Sequence, residues 1–85
     1  MSRVQKLQWY AGQLMNDAAT AEKAGAIETA TKAYLNASDI LLLLSKNEQN
    51  YVAWKSYTDK AEYCHKKARQ LIAQKPNPSL EGGLV

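Results

Sequence analysis

Apolar residues recur at intervals of three and four in three separate stretches of the chain. The first holds Val4, Leu7, Ala11, Leu14, Ala18 and Ala21. The second holds Ile27, Ala30, Tyr34, Ala37, Leu41 and Leu44, and the third Trp54, Tyr57, Ala61, Cys64, Ala68 and Leu71. Each set forms a stripe along one side of an α-helix. Gly25 and the polar segment 45–50 separate the stretches. Gly25 suits a helix C-terminus because glycine adopts positive φ without a Cβ clash, and Asn47 and Asn50 are candidate N-caps for the third helix. Three stripes joined by short connections bury one another only if neighbouring helices run antiparallel. The fold expected is all-α, an up-down-up antiparallel three-helix bundle over residues 1–75. Pro76 and Pro78 followed by Gly82 and Gly83 cannot propagate a helix, so 76–85 reads as a flexible linker.

The stripes are dominated by alanine, which lets helices approach closely, with Tyr34, Trp54 and Tyr57 filling the remaining space. Some apolar residues fall outside the stripes. Leu35 and Leu42 lie on one flank of the second helix with Thr31 and Ser38, a semi-apolar strip. Leu43 points nearly away from the core, as does Trp9 on the first helix. Burying a leucine is worth about 1.5–3 kcal/mol, so a line of exposed leucines marks a surface that a partner covers.

Composition narrows the chemistry. The chain has 85 residues and a net charge of +3, one modest domain. Its basic residues are spread out apart from Lys66, Lys67 and Arg69, unlike the dense, aromatic-lined stripe of a nucleic-acid binder. The single cysteine, Cys64, forms no internal disulfide and implies a reducing, intracellular setting. The longest fully apolar run, 40–44, is far too short to span a bilayer. Residues 1–10 lack the pattern of a signal peptide. No phosphate loop, nucleophile elbow or metal-ligand spacing occurs. His65 adjoins Cys64, but neighbouring helical residues diverge by about 100° and make a poor metal pair. No cofactor, metal or catalytic residue is expected.

The run 21–37 is similar to a known pattern. Ala21, Glu22 and Lys23 precede Gly25, Ile27 and Glu28, and Ala30, Tyr34 and Ala37 follow at spacings of four and three. This resembles the helix-turn-helix of MIT (microtubule-interacting and trafficking) domains. Tyr57, Asp59, Lys60, Ala61 and Glu62 resemble that family's third helix, and the likeness covers residues 4 to about 74. Tetratricopeptide helices share the Ala/Tyr spacing, but one such repeat cannot bury its own core. The Gly25 turn is especially similar to archaeal cell-division ATPases of this type. The resemblance implies a cytoplasmic, monomeric, non-catalytic module at the N-terminus of an AAA ATPase. Its partners would be the C-terminal tails of ESCRT-III-like filament proteins, with membranes and division sites reached only through them. The Pro/Gly segment after residue 75 fits a linker to that ATPase. The alternative is a helical oligomerisation or scaffold domain using Leu43 and Trp9 for self-contact.

Family tails bind as a helix between the second and third helices, or as an extended strand between the first and third. On the first pattern the groove has Thr31, Leu35, Ser38 and Leu42 on one wall. Tyr51, Lys55, Thr58, Glu62 and His65 form the other. The second groove centres on Gln8, Met15, Ala19, Ala53, Lys60 and Lys67. Thr58, Thr31 and Ser38 stand where the family usually has aliphatic residues, and Leu35 is apolar where polar residues are usual.

Overall fold

The computed structural model describes residues 2–74, and the expected linker 76–85 lies outside them. Three helices and no strand occur among the described residues: α1 (Arg3–Lys23), α2 (Ile27–Lys46) and α3 (Tyr51–Gln74). Ser2 starts α1 with a reciprocal cap. Its hydroxyl accepts the Gln5 N–H at 3.1 Å, and the Gln5 side-chain oxygen accepts the Ser2 N–H at 2.9 Å, which satisfies donors the helix cannot pair internally.

Gly25 ends α1 as its position suggests, with φ of 79°. The Gly25 N–H donates to the Glu22 carbonyl at 3.1 Å and the Ala26 N–H to the Ala21 carbonyl at 2.9 Å, the paired bonds of a Schellman motif. Helix α2 begins two residues after Gly25, at Ile27. At its other end Asn47 is the C-terminal cap of α2 and not an N-cap of the next helix. Asn50 alone takes that role: its Oδ1 accepts the Ala53 N–H at 3.0 Å. Asn47 lies too far before Tyr51 to reach those donors.

All three helices contribute to one core. α1 gives Ala11 and Ala18; α2 gives Ala30, Ala33, Tyr34, Ala37, Leu41 and Leu44; α3 gives Tyr57, Ala61, Cys64, Ala68 and Leu71. Leu7, Leu14, Ala21 and Ile27 pack partly buried against it. The buried arc of α2 is broader than a single stripe, because α2 packs on both α1 and α3. Ala33, Ser38 and Ser45 are drawn inside for that reason. Ser38 Oγ donates to the Ala61 carbonyl at 3.3 Å across the α2–α3 contact, and Ser45 Oγ to the Leu42 carbonyl at 2.7 Å, so neither hydroxyl is buried without a partner.

Two stripe positions are not in the core. Trp54 is 40% exposed, in the first turn of α3. It stacks on Tyr51 with ring centroids 5.9 Å apart. Val4 is half exposed at the start of α1, where it shares a cavity with Leu43 near the end of α2. Side chains link the helices along their length. Gln8 Nε2 donates to Tyr57 Oη at 2.6 Å, and the Tyr34 hydroxyl donates to Glu22 at 2.8 Å.

The two helical-segment glycines carry opposite expectations. A Cβ at either Gly12 or Gly25 meets nothing within 4 Å, so backbone conformation alone decides. Gly12→Ala, inside α1, should stabilise by about 0.5–1 kcal/mol. Gly25→Ala, at positive φ, should destabilise by about 1 kcal/mol or more. Urea denaturation midpoints moving in opposite directions check both.

Candidate functional site

The first set of expected groove residues is divided between α2 and α3. On α2, Leu42 is 40% exposed and Leu35 part-buried. Thr31 is also part-buried, with its hydroxyl returned to the Ile27 carbonyl at 2.8 Å. Ser38 does not stand on the surface. It is fully buried and bonded to Ala61, so it forms floor rather than wall and offers no free donor. The 3.6-residue period alone placed it on the strip with Thr31; the breadth of the buried arc of α2 put it underneath.

On α3, Tyr51 is exposed and Thr58 part-buried, with Thr58 Oγ1 donating to the Lys55 carbonyl at 3.0 Å. Glu62 and His65 are exposed. The rim charges are largely paired along their own helix. Lys55 reaches Asp59 at 3.0 Å, which raises the Lys55 pKa through that hydrogen bond. Glu62 lies 3.9 Å from Lys66. Such exposed i,i+4 pairs contribute little and yield readily to a partner.

Two apolar residues on this flank escaped the sequence reading. Ile72 is 55% exposed and stands seven residues after His65, two turns along the same side of α3. It lines a cavity of about 210 Å³ with Ile27, Glu28, Thr31 and Lys32 at the start of α2. Trp54 is the other, assigned to the core by its spacing from Tyr57. Carrying the period one turn back from Thr58 and two turns on from His65 finds both. Ile27 and Ile72 share that cavity, while Tyr51 and Trp54 stack at the start of α3.

The second groove lies between α1 and α3. Gln8, Met15 and Lys60 line one cavity of about 210 Å³ whose other walls include Leu41, Leu44 and Tyr57. Ala19 and Ala53 are part-buried, Ala53 packing against the core. Lys67 Nζ donates to Glu22 at 2.7 Å. Glu22 also accepts the Tyr34 hydroxyl, which ties the end of α1 to both other helices. The bond from Lys67, then that from Tyr34, holds the Glu22 carboxyl below its usual range. Burial first, and the bond to Glu22 second, push the Tyr34 phenol well above its usual value. The bond to Glu22 raises Lys67.

Cys64 is buried and its thiol raised by burial, the reverse of what a nucleophilic cysteine needs. His65 points outward beside it. Among the described residues no group of three or more His, Cys, Asp or Glu side chains could hold a metal. No helix among them is long and apolar enough to cross a membrane. No known family, curated protein or solved structure matches the chain.

The Glu22 cluster predicts a pH profile. A depressed carboxyl contributes stability above the unfolded carboxylate range, near pH ~4, and loses it as pH falls through the folded value. Raised Tyr34 and Lys67 contribute fully below about pH 10 and lose it as pH climbs. Glu22→Gln should cost about 1 kcal/mol at neutral pH, discounted for partial exposure. The gap between wild type and variant should close on the acid side and on the alkaline side. Urea unfolding across pH checks this.

Proposed function

We propose that the chain is a non-catalytic MIT-like binding module that grips C-terminal tails of ESCRT-III-like filament proteins. In this reading it recruits an AAA ATPase to them in the cytoplasm, for membrane remodelling or cell division. The supporting observation is the half-exposed apolar line of Leu42, Trp54 and Ile72 with part-buried Leu35 on the α2/α3 flank. Apolar side chains left half in water along one groove gain the rest of their burial from a ligand. The resemblance of 21–37 and 57–62 to the family supplies the class of ligand.

The helices are taken to run up-down-up, with neighbours antiparallel. Three observations support that order. The start of α1 shares a cavity with the end of α2. The start of α2 shares one with Ile72 near the end of α3. Gln8 meets Tyr57 early in α1 and α3, and Glu22 meets Lys67 late in both.

A tail helix would set its apolar anchors on Leu35 and Leu42, while Glu62 meets a basic side chain at the rim. The groove is shallow, so the complex is expected in the micromolar class, about −6 to −8 kcal/mol, with many domains meeting many tails in the filament. Leu42→Asp should abolish binding of a tail peptide, since it places a charge where an apolar anchor docks. Glu62→Lys should weaken it less and in a salt-dependent way. NMR titration of the labelled domain is the check. Shifts confined to Met15, Ala19 and Lys60, with Leu35 and Leu42 silent, would move the site to the α1/α3 groove.

A further inference from the structure

Helices α1 and α3 each pack along α2 but scarcely touch one another. Two side-chain bonds span the seam between them. Early in both helices Gln8 Nε2 donates to Tyr57 Oη at 2.6 Å, and late in both Lys67 Nζ donates to Glu22 at 2.7 Å. The cavity of the second groove opens beside the first bond. Ala11, Gly12 and Met15 line it from α1, Lys60 from α3, and Leu41 and Leu44 from α2.

Helix α1 is also the least anchored of the three. The residues it buries are Ala11 and Ala18, while Leu7, Leu14 and Met15 are part-buried. Helices α2 and α3 bury Tyr34, Leu41, Leu44, Tyr57 and Leu71. Moving α1 therefore uncovers less apolar surface than parting α2 from α3, and regions with few buried apolar contacts open first. Residues 24–26 join α1 to α2. At Gly25 the backbone has φ of 79° in open surroundings, and a few loop residues of this kind are enough to absorb a hinge rotation.

We infer that α1 is a hinged strap that rolls off α3 about the turn at 24–26, widening the second groove. The bonds of Gln8 to Tyr57 and of Lys67 to Glu22 hold it shut. The Tyr34 hydroxyl donates to Glu22 from α2, so it keeps the hinge end of α1 on α2 while the seam opens. Opened, the seam presents Leu41, Leu44 and Tyr57, an apolar floor that α1 covers in the shut form. The inference does not rest on the tail-binding reading, since α2 and α3 pack together alike with the strap open or shut.

The chain's single cysteine, Cys64, reports on the seam. It is buried, and it stands two turns beyond Tyr57 and one turn before Lys67 on the same side of α3. A thiol reagent therefore reaches it only when the seam opens or the chain unfolds. The test follows labelling of the full native chain by dithiobis(nitrobenzoate) through low urea. Seam opening exposes little surface, so the rate should stay nearly flat until the unfolding transition. Gln8→Leu and Lys67→Met should each speed labelling without urea about fivefold. Asn50→Ala removes the α3 cap and lowers stability by a comparable amount, yet it should leave that rate unchanged. Labelling that climbs along the global unfolding line from the lowest urea would overturn the inference. So would seam variants that label at the wild-type rate, or an Asn50→Ala chain that labels as fast as they do.

Discussion

Helix α2 must be covered on two sides at once, and the rest of the molecule depends on how it meets that demand. Its buried arc carries Ala30, Ala33, Ala37 and Ser38, with Tyr34, Leu41 and Leu44 as the larger members. Small side chains let both other helices approach closely, so the chain closes a core with few large residues. Close approach also limits what fits inside. Leu35, Leu42 and Leu43, which α2 carries beyond those seven positions, stand on its flanks, as Trp54 does on α3. The groove surfaces are thus a consequence of the alanine-rich interior.

A core this small leaves the ends of the bundle in need of polar fastening. Glu22 supplies it at one end by accepting from Tyr34 on α2 and Lys67 on α3. At mid-height Ser38 bonds across to Ala61, and nearer the start of α1 Gln8 bonds to Tyr57. The edge-on contact of Tyr34 and Tyr63, with centroids 6.4 Å apart, adds a ring contact beside the Glu22 cluster. These links are few, and each has its partner.

The three helices and the turn at Gly25 were legible because period and glycine conformation are local properties. Asn50 was legible as a cap, but Asn47 was not separable from it, since either asparagine can cap and only the helix boundary decides. Ser38 shows where periodicity stops. A wheel places it on the flank with Thr31, yet the width of the buried arc is set by having two neighbours, which no single helix encodes. Trp54 departs in the opposite sense: its spacing fits the stripe, yet in the first turn of α3 its ring stays 40% exposed and stacks on Tyr51. Ile72 lay within reach of the same period. The bonds of Glu22 to Tyr34 and Lys67 join residues far apart in sequence and could be seen only once the helices were packed.

The central claim is that the α2/α3 flank receives the apolar anchors of a tail, and Trp54 reports on it directly. In a Trp9→Phe chain, Trp54 is the only indole, and it sits on that flank at 40% exposure. Titration with the C-terminal tail peptide of an ESCRT-III-like filament subunit should move its emission to the blue, saturating at micromolar peptide. Binding seen by calorimetry at that affinity, with Trp54 emission unchanged, would contradict the account.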